Sequence, residues 1–327
     1  MKVRGRKEIL RRSEEEEETL PPCLPVYRQA GLLYYMGKII DRIKQGKVLV
    51  SDGAWGTFLQ QKGLQPGECP EAWNLSRPAD VLDIALSYID AGADMIETNS
   101  FGGTRFKLER YGLGNKVFDL NKAAAEISRK AAGDKFVIGS VGPTGKILMM
   151  GDVTEEELYE AFREQALGLE AGGADAVMIE TMSDLDEARL AIRAAKENTN
   201  LEVFCTMTFE KTLTGEFRSM MGVSPTEMVP VLLDAGAELL GANCGNGISG
   251  MVGIVKEIRE TDPAVPVLVH ANAGMPIYRD GETVFPETPE EMAYHIKEIV
   301  EAGANVIGGC CGTTPEHIRQ VRKAVDG

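Results

Sequence analysis

The sequence predicts an α/β fold of one kind, a (β/α)8 (TIM) barrel forming a single domain with an N-terminal arm. Three observations carry that reading. Eight apolar runs of strand length alternate with eight segments of 3.6-residue period. The alternation occupies residues 37–327 and leaves no stretch for a second domain. A phrase built on Ala-Gly-Ala recurs ahead of every second strand, as in Asp-Ala-Gly-Ala-Asp-Met-Ile-Glu-Thr-Asn from Asp90 and Glu-Ala-Gly-Ala-Asn-Val-Ile-Gly-Gly-Cys-Cys from Glu301.

Taken in order, residues 1–36 have no period, carry a charge block of each sign and include Leu-Pro-Pro-Cys-Leu-Pro; they read as a flexible arm. A short helix is expected between Gly37 and Gly46. The strands are expected at 48–51, 95–99, 136–140, 176–180, 203–208, 239–243, 267–270 and 306–309. The helices are expected at 79–91, 115–132, 154–171, 185–197, 224–235, 249–260, 289–302 and 315–325. Each copy of the repeated phrase is a helix end stopped by Gly, then a tight turn into a buried strand. The four copies run into Glu97, Glu180, Cys244 and the Cys310-Cys311 pair, which groups acids and thiols at one rim of the barrel.

Composition narrows the function. A net charge of -15 argues against a nucleic-acid partner. No apolar run reaches the ~18 residues of a membrane span, so no membrane is expected. The basic first residues are followed by Ser-Glu-Glu-Glu-Glu-Glu where a signal peptide would turn apolar. Six cysteines in 327 residues are not a secreted disulfide framework, and a reducing cytoplasm is the expected compartment.

The chemistry centres on Gly308-Gly-Cys-Cys-Gly-Thr-Thr-Pro315, where a strand ends and a helix begins. Adjacent cysteines make a poor disulfide, but across a Gly-flanked bend both sulfurs can reach one ion. Cys244, in Asn-Cys-Gly after another apolar run, supplies a third thiol. Three thiolates on two strand ends suit Zn²⁺ with one position open. Cys23, Cys69 and Cys205, in the arm, a loop and a strand, read as small packing residues. His270 reads as packed, and His295 and His317 as solvated helix residues.

The strand ends, read together, resemble one family. Asp52-Gly-Ala-Trp-Gly-Thr, Glu97-Thr-Asn-Ser-Phe, Val141-Gly-Pro-Thr-Gly, Ile179-Glu-Thr, Asn243-Cys-Gly, Asn272-Ala-Gly-Met-Pro and the final cysteine motif occur in the order seen in the homocysteine S-methyltransferase family. The resemblance covers roughly residues 40–326 and is strongest to the homocysteine-binding barrel of cobalamin-dependent methionine synthase, through Gly-Pro-Thr-Gly-Lys and Leu-Thr-Gly. It implies one Zn²⁺ per chain held by Cys244, Cys310 and Cys311, which thereby take part in catalysis. It implies that Asp52 and Glu180 recognise the ammonium group of L-homocysteine and that the backbone N–H groups of Gly53 and Ala54 take its carboxylate. Asn243, beside a ligand, would orient substrate or metal. The product would be methionine. The donor would be methylcobalamin on a separate corrinoid protein, because no Asp-x-His-x-x-Gly corrinoid motif occurs in the chain. S-methylmethionine or a betaine is the alternative donor, and a non-catalytic barrel subunit of a corrinoid methyl-transfer complex is the alternative role. One departure is visible: the methionine-synthase pattern Asn-Cys-Ser is replaced by Asn-Cys-Gly-Asn-Gly.

Overall fold

The computed structural model describes residues 27–29, 32–34, 39–279 and 281–327. Eight parallel strands form one sheet: β1 (Leu49–Val50), β2 (Met95–Glu97), β3 (Phe136–Val141), β4 (Ala176–Met182), β5 (Glu202–Met207), β6 (Leu239–Gly247), β7 (Val267–Asn272) and β8 (Val306–Gly309). Their order is β1-β8-β7-β6-β5-β4-β3-β2, the sequential order of a barrel opened between β1 and β2. That joint is closed by single bonds, with Asp94 N–H donating to the Val50 carbonyl at 2.7 Å. Outside lie α1 (Pro78–Asp90), α2 (Val117–Ala132), α3 (Glu155–Ala171), α4 (Leu185–Asn198), α5 (Pro225–Asp234), α6 (Ile248–Thr261), α7 (Ile296–Ala302) and α8 (Pro315–Asp326). The fold is the (β/α)8 barrel expected from the sequence.

The repeated phrase has a physical purpose. In its four copies, Asp94, Asp175, Glu238 and Asn305 occupy one equivalent position. Their backbone N–H groups donate to the carbonyls of Val50, Val137, Val203 and Val267 at 2.7–2.8 Å. Their side chains accept back from the N–H of the same four valines. A cation from a neighbouring helix then meets each side chain: Arg322, Arg129, Lys196 and Arg259. Each odd strand is thus locked in register to the even strand after it, and the barrel consists of four such clamped pairs. The glycines before the clamp, at φ +101°, +92°, +108° and +113°, turn the chain in a way other residues resist.

Local signals account for the helix ends. Thr154 and Glu157, Ser224 and Glu227, and Thr288 and Glu291 form capping boxes. The early helix expected from 37 to 46 spans Ile39–Lys44, and its first N–H groups donate to buried Glu202 at the start of β5. One expectation needs correction. The helix expected over 289–302 is broken at His295 into Pro289–Tyr294 and α7. The loops after β5 and β7 each carry a small antiparallel hairpin, Glu210–Lys211 with Phe217–Arg218 and Ile277–Arg279 with Glu282–Val284. The expectation of a flexible arm at 1–36 falls largely outside the described residues; within it, Tyr27–Gln29 pairs antiparallel with Leu32–Tyr34. Among the described residues no helix is long and apolar enough to cross a membrane.

Candidate metal and substrate site

Cys310 and Cys311 follow β8 directly. Their bend is closed by the Thr313 N–H and hydroxyl, both donating to the Cys310 carbonyl, at 3.1 and 2.7 Å. The flanking glycines are required by space. A Cβ on Gly309 would lie 2.2 Å from Thr313 Oγ1, and one on Gly312, at φ +81°, would lie 2.3 Å from Phe285. Cys310 N–H donates to the Ala271 carbonyl at 2.7 Å, and the Cys311 carbonyl accepts from Ala273 N–H at 3.0 Å, so β7 fixes both cysteines. Cys244 arrives from β6. The three sulfurs lie within 4.8 Å of one another, with Cys244 and Cys311 4.0 Å apart. The three cysteines form the one such group of potential metal ligands among the described residues.

The protons are shared unequally. Cys244 is held far below the ordinary thiol range because Cys310 and Cys311 donate to its sulfur. Cys310 and Cys311 are pushed up in return, chiefly by giving those bonds to Cys244. A dication would favour the thiolate form of all three. The three sulfurs converge with no fourth His, Cys, Asp or Glu ligand beside them among the described residues, a donor set that a zinc ion with one open position would fit.

Beside the thiols lies a cavity of about 290 Å³ whose lining includes Trp55, Glu97, Phe101, Glu180, Cys310 and Cys311. Its acidic side is unusual. Asp52, Glu97 and Glu180 are all buried. Asp52 accepts from Trp55 Nε1 and Glu97 N–H, both at 2.9 Å, yet burial pushes its carboxyl up to about 6. Burial likewise pushes Glu180 up to about 7, against a bond from the Ser140 hydroxyl. Glu97 is raised well above the carboxylate range, by burial first and then by Glu180 and Asp52. Three carboxylates in one low-dielectric wall repel each other, and a ligand cation relieves that.

Two residues of this site, Thr181 and Cys244, have φ near +60°, and among the described residues they alone do so without being glycine. Both sit where strand pairing slips, on β4 after Ile179 and on β6 after Asn243. Asn243 ties them together. Its Oδ1 accepts from Thr181 N–H at 2.8 Å and from the Thr206 hydroxyl at 2.7 Å; its Nδ2 donates to Thr181 Oγ1 at 2.7 Å and reaches Glu180 Oε2 at 3.5 Å. The Asn-Cys-Gly departure has a local cause as well. Gly245 has φ +68°, and a Cβ there would lie 2.7 Å from the Phe209 carbonyl.

The cavity lining includes Gly53, Ala54, Glu180, Cys244, Cys310 and Cys311, while Asp52 and Asn243 stand behind it, bonded to Trp55 and Glu180 of that lining. Several details differ. The Ala54 N–H, expected to be free for a carboxylate, donates to Thr313 Oγ1 at 3.1 Å. Gly53 is small because Thr313 Oγ1 and Tyr88 would crowd a Cβ at 2.7 and 2.9 Å. His317 is buried rather than solvated: its Nδ1 accepts from Thr314 N–H, and its Nε2 lies 3.0 Å from the Glu287 carbonyl, which anchors the start of α8. Cys69 and Cys205 are buried away from the cluster, with thiols pushed up by burial, while Cys23 lies outside the described residues. Glu97 and Thr181, given no role from the sequence, line the same cavity. Glu97 had a signal there as the end of a repeat copy, and Thr181 only as part of the Ile179-Glu-Thr motif.

A parallel barrel with a thiol trio and buried acids at the C-terminal ends of its strands defines a class of barrel with a candidate metal site beside a cavity. Comparison gives the family. The model of the homocysteine S-methyltransferase family matches residues 49–325, and the chain belongs to this family of methyltransferases. It is 34% identical over 311 residues to proteins named methionine synthase from Mycobacterium tuberculosis and Mycobacterium leprae. Those matches cover 89% of this chain but 26% and 25% of the relatives, so the chain spans about a quarter of their length. Among solved structures, the metallated form of the homocysteine methyltransferase MmuM from Escherichia coli superposes with a TM-score of 0.71 at 22% identity, over 86% of this chain and 98% of that one. The likeness of fold extends over nearly the whole of that enzyme.

Proposed function

We propose that this protein is a zinc-dependent methyltransferase that moves a methyl group to the thiolate of L-homocysteine and yields methionine. The observation that carries the reading is one cavity whose lining holds both convergent cysteine sulfurs and buried carboxylates. An amino-acid thiol fits that polarity, its sulfur toward the cysteines and its ammonium toward Asp52 and Glu180. The 34% identity to methionine synthases supports the same substrate. Zinc held by Cys244, Cys310 and Cys311 would supply one thing, a lowered pKa for the incoming thiol.

The chain's own residues do the rest. Asp52 and Glu180 take the ammonium in charge-assisted hydrogen bonds that water cannot screen. Backbone at Gly53 and Ala54 meets the substrate carboxylate, with the Thr313 hydroxyl yielding its bond to Ala54. Asn243 holds Glu180 and Thr181 in place while Cys244 beside it faces the thiols. Cys310 and Cys311, whose thiols are pushed up in the free cluster, would hold the ion as thiolates.

The donor is a methyl-corrinoid carried by another protein module. Support comes from the loops that leave the same strand ends. They expose Met149 and Met150 after β3, Leu213 and Met220 after β5, and Met275 and Tyr278 after β7. Flexible apolar side chains of this kind suit a surface that docks and releases a partner. The test supplies homocysteine to the zinc-loaded enzyme with a methylated corrinoid protein, free methylcobalamin, S-methylmethionine and glycine betaine in parallel. Methionine from the corrinoid protein is expected; efficient turnover of a small donor without it would replace the donor, and no methionine from any would overturn the reading.

A further inference from the structure

Outside the residues already assigned, Glu97 and His270 are both buried and both line the cavity. Their hydrogen bonding sets them apart from their neighbours. Asp52 has donors in Trp55, Ser51 and the Glu97 N–H; Glu180 has Ser140 and Asn243. No described residue donates a hydrogen bond to the Oε1 of Glu97, and the Nε2 of His270 is equally without a partner. The two side chains face each other, with His270 Nδ1 3.5 Å from Glu97 Oε1. A buried carboxyl left unsatisfied costs a chain stability unless a ligand completes it.

We propose that Glu97 is a third recognition carboxylate for the substrate ammonium, and that His270 is the positioning residue that aims it into the cavity. The inference rests on the amino-acid thiol reading above. An ammonium has three N–H donors, and Asp52, Glu97 and Glu180 are buried beside one another; burial raises the proton affinity of all three, and neighbouring acids add to it for Glu97 and Glu180. Two of the three are held by the protein, whereas Glu97 has no donor to its Oε1 except what the ligand brings. Gly308 lets His270 do its part: a Cβ there would lie 2.8 Å from the His270 ring, so the glycine ahead of the cysteine pair keeps the imidazole against Glu97. Neither residue touches the methyl being moved, and the selection is for an α-amino thiol over a simple thiol acid.

The test compares homocysteine with 4-mercaptobutanoate, the same molecule without its amino group, on wild type, Glu97→Gln, Glu97→Asp and His270→Gln, with direct calorimetric binding beside the kinetics. Glu97→Gln is expected to raise KM and Kd for homocysteine at least about tenfold, the loss typical of a charge-assisted bond, and to leave those for 4-mercaptobutanoate unchanged. Glu97→Asp, which keeps the charge with a shorter reach, should lie between. His270→Gln should shift homocysteine in the same direction by less. Equal losses for both thiols, or no loss for homocysteine, would overturn the proposal. If Glu97→Gln fails to fold, the same two-substrate comparison on Glu97→Asp decides it. Failure of wild type to methylate homocysteine at all is a different result, and it overturns the functional reading with this inference.

Discussion

Asn243 and Thr181 are joined by two hydrogen bonds, backbone N–H to Oδ1 at 2.8 Å and Nδ2 to Oγ1 at 2.7 Å. The pairing holds a β-branched residue at φ +60°, a conformation that such residues avoid. The same amide reaches Glu180 at 3.5 Å and Cys310 Sγ at 4.0 Å, so one side chain links a carboxylate and a thiol of the cavity lining.

Asn243→Ala is therefore expected to lower unfolding stability by about 1–3 kcal/mol, since it strands the Thr181 N–H and the Thr206 hydroxyl. It should also let Thr181 relax and lower kcat more than it raises KM. Denaturant unfolding and steady-state kinetics check both; unchanged kcat would reduce Asn243 to a packing role.

Changing Cys244, Cys310 or Cys311 to Ala should remove the metal and activity while leaving the barrel folded. Its core extends through eight strands and the helices around them and does not need a metal as a staple. Metal analysis and circular dichroism decide this. A triple variant that is unfolded from the start would make the site structural.

Asp52→Asn and Glu180→Gln are expected to raise the homocysteine KM by about tenfold or more, without stripping zinc.

The same two changes alter stability in the opposite sense. Both acids have folded-state pKa values raised by burial, to about 6 and about 7. The folded state then binds more protons than the unfolded one between pH 4 and pH 7, so these groups cost stability as pH rises through that window. The ligand-free double variant should lose less stability than wild type between pH 5 and pH 8, by an amount on the order of 1–3 kcal/mol per group. Parallel pH profiles for the two proteins would show that neither acid is held in its raised state.

Met149→Lys combined with Met220→Lys should slow methyl transfer from a corrinoid protein and leave turnover of free methylcobalamin unaltered. Both side chains are largely exposed, so little folding energy is at stake. Equal effects on both donors would remove these loops from the docking surface.

The sequence by itself determined the barrel, its four repeated strand pairs and the thiol trio. Periodicity reports which face of each element is buried, and the Gly-flanked cysteines announce a bend that ordinary residues cannot make. It did not determine why the repeat exists, because the clamp joins Asp94 to Val50 and Asn305 to Val267 across 44 and 38 residues, and spacing carries no partner names. The tertiary structure alone decided that Thr181 and Cys244 adopt left-handed backbone, since nothing in a Thr or a Cys favours it and only the contacts of Asn243 sustain it. It alone moved His317 from solvent to the anchor of α8. And it alone brought Glu97 within reach of His270, 173 positions along the chain, by bending β2 and β7 around one barrel. That proximity is a property of closure, and no local stretch of sequence contains it.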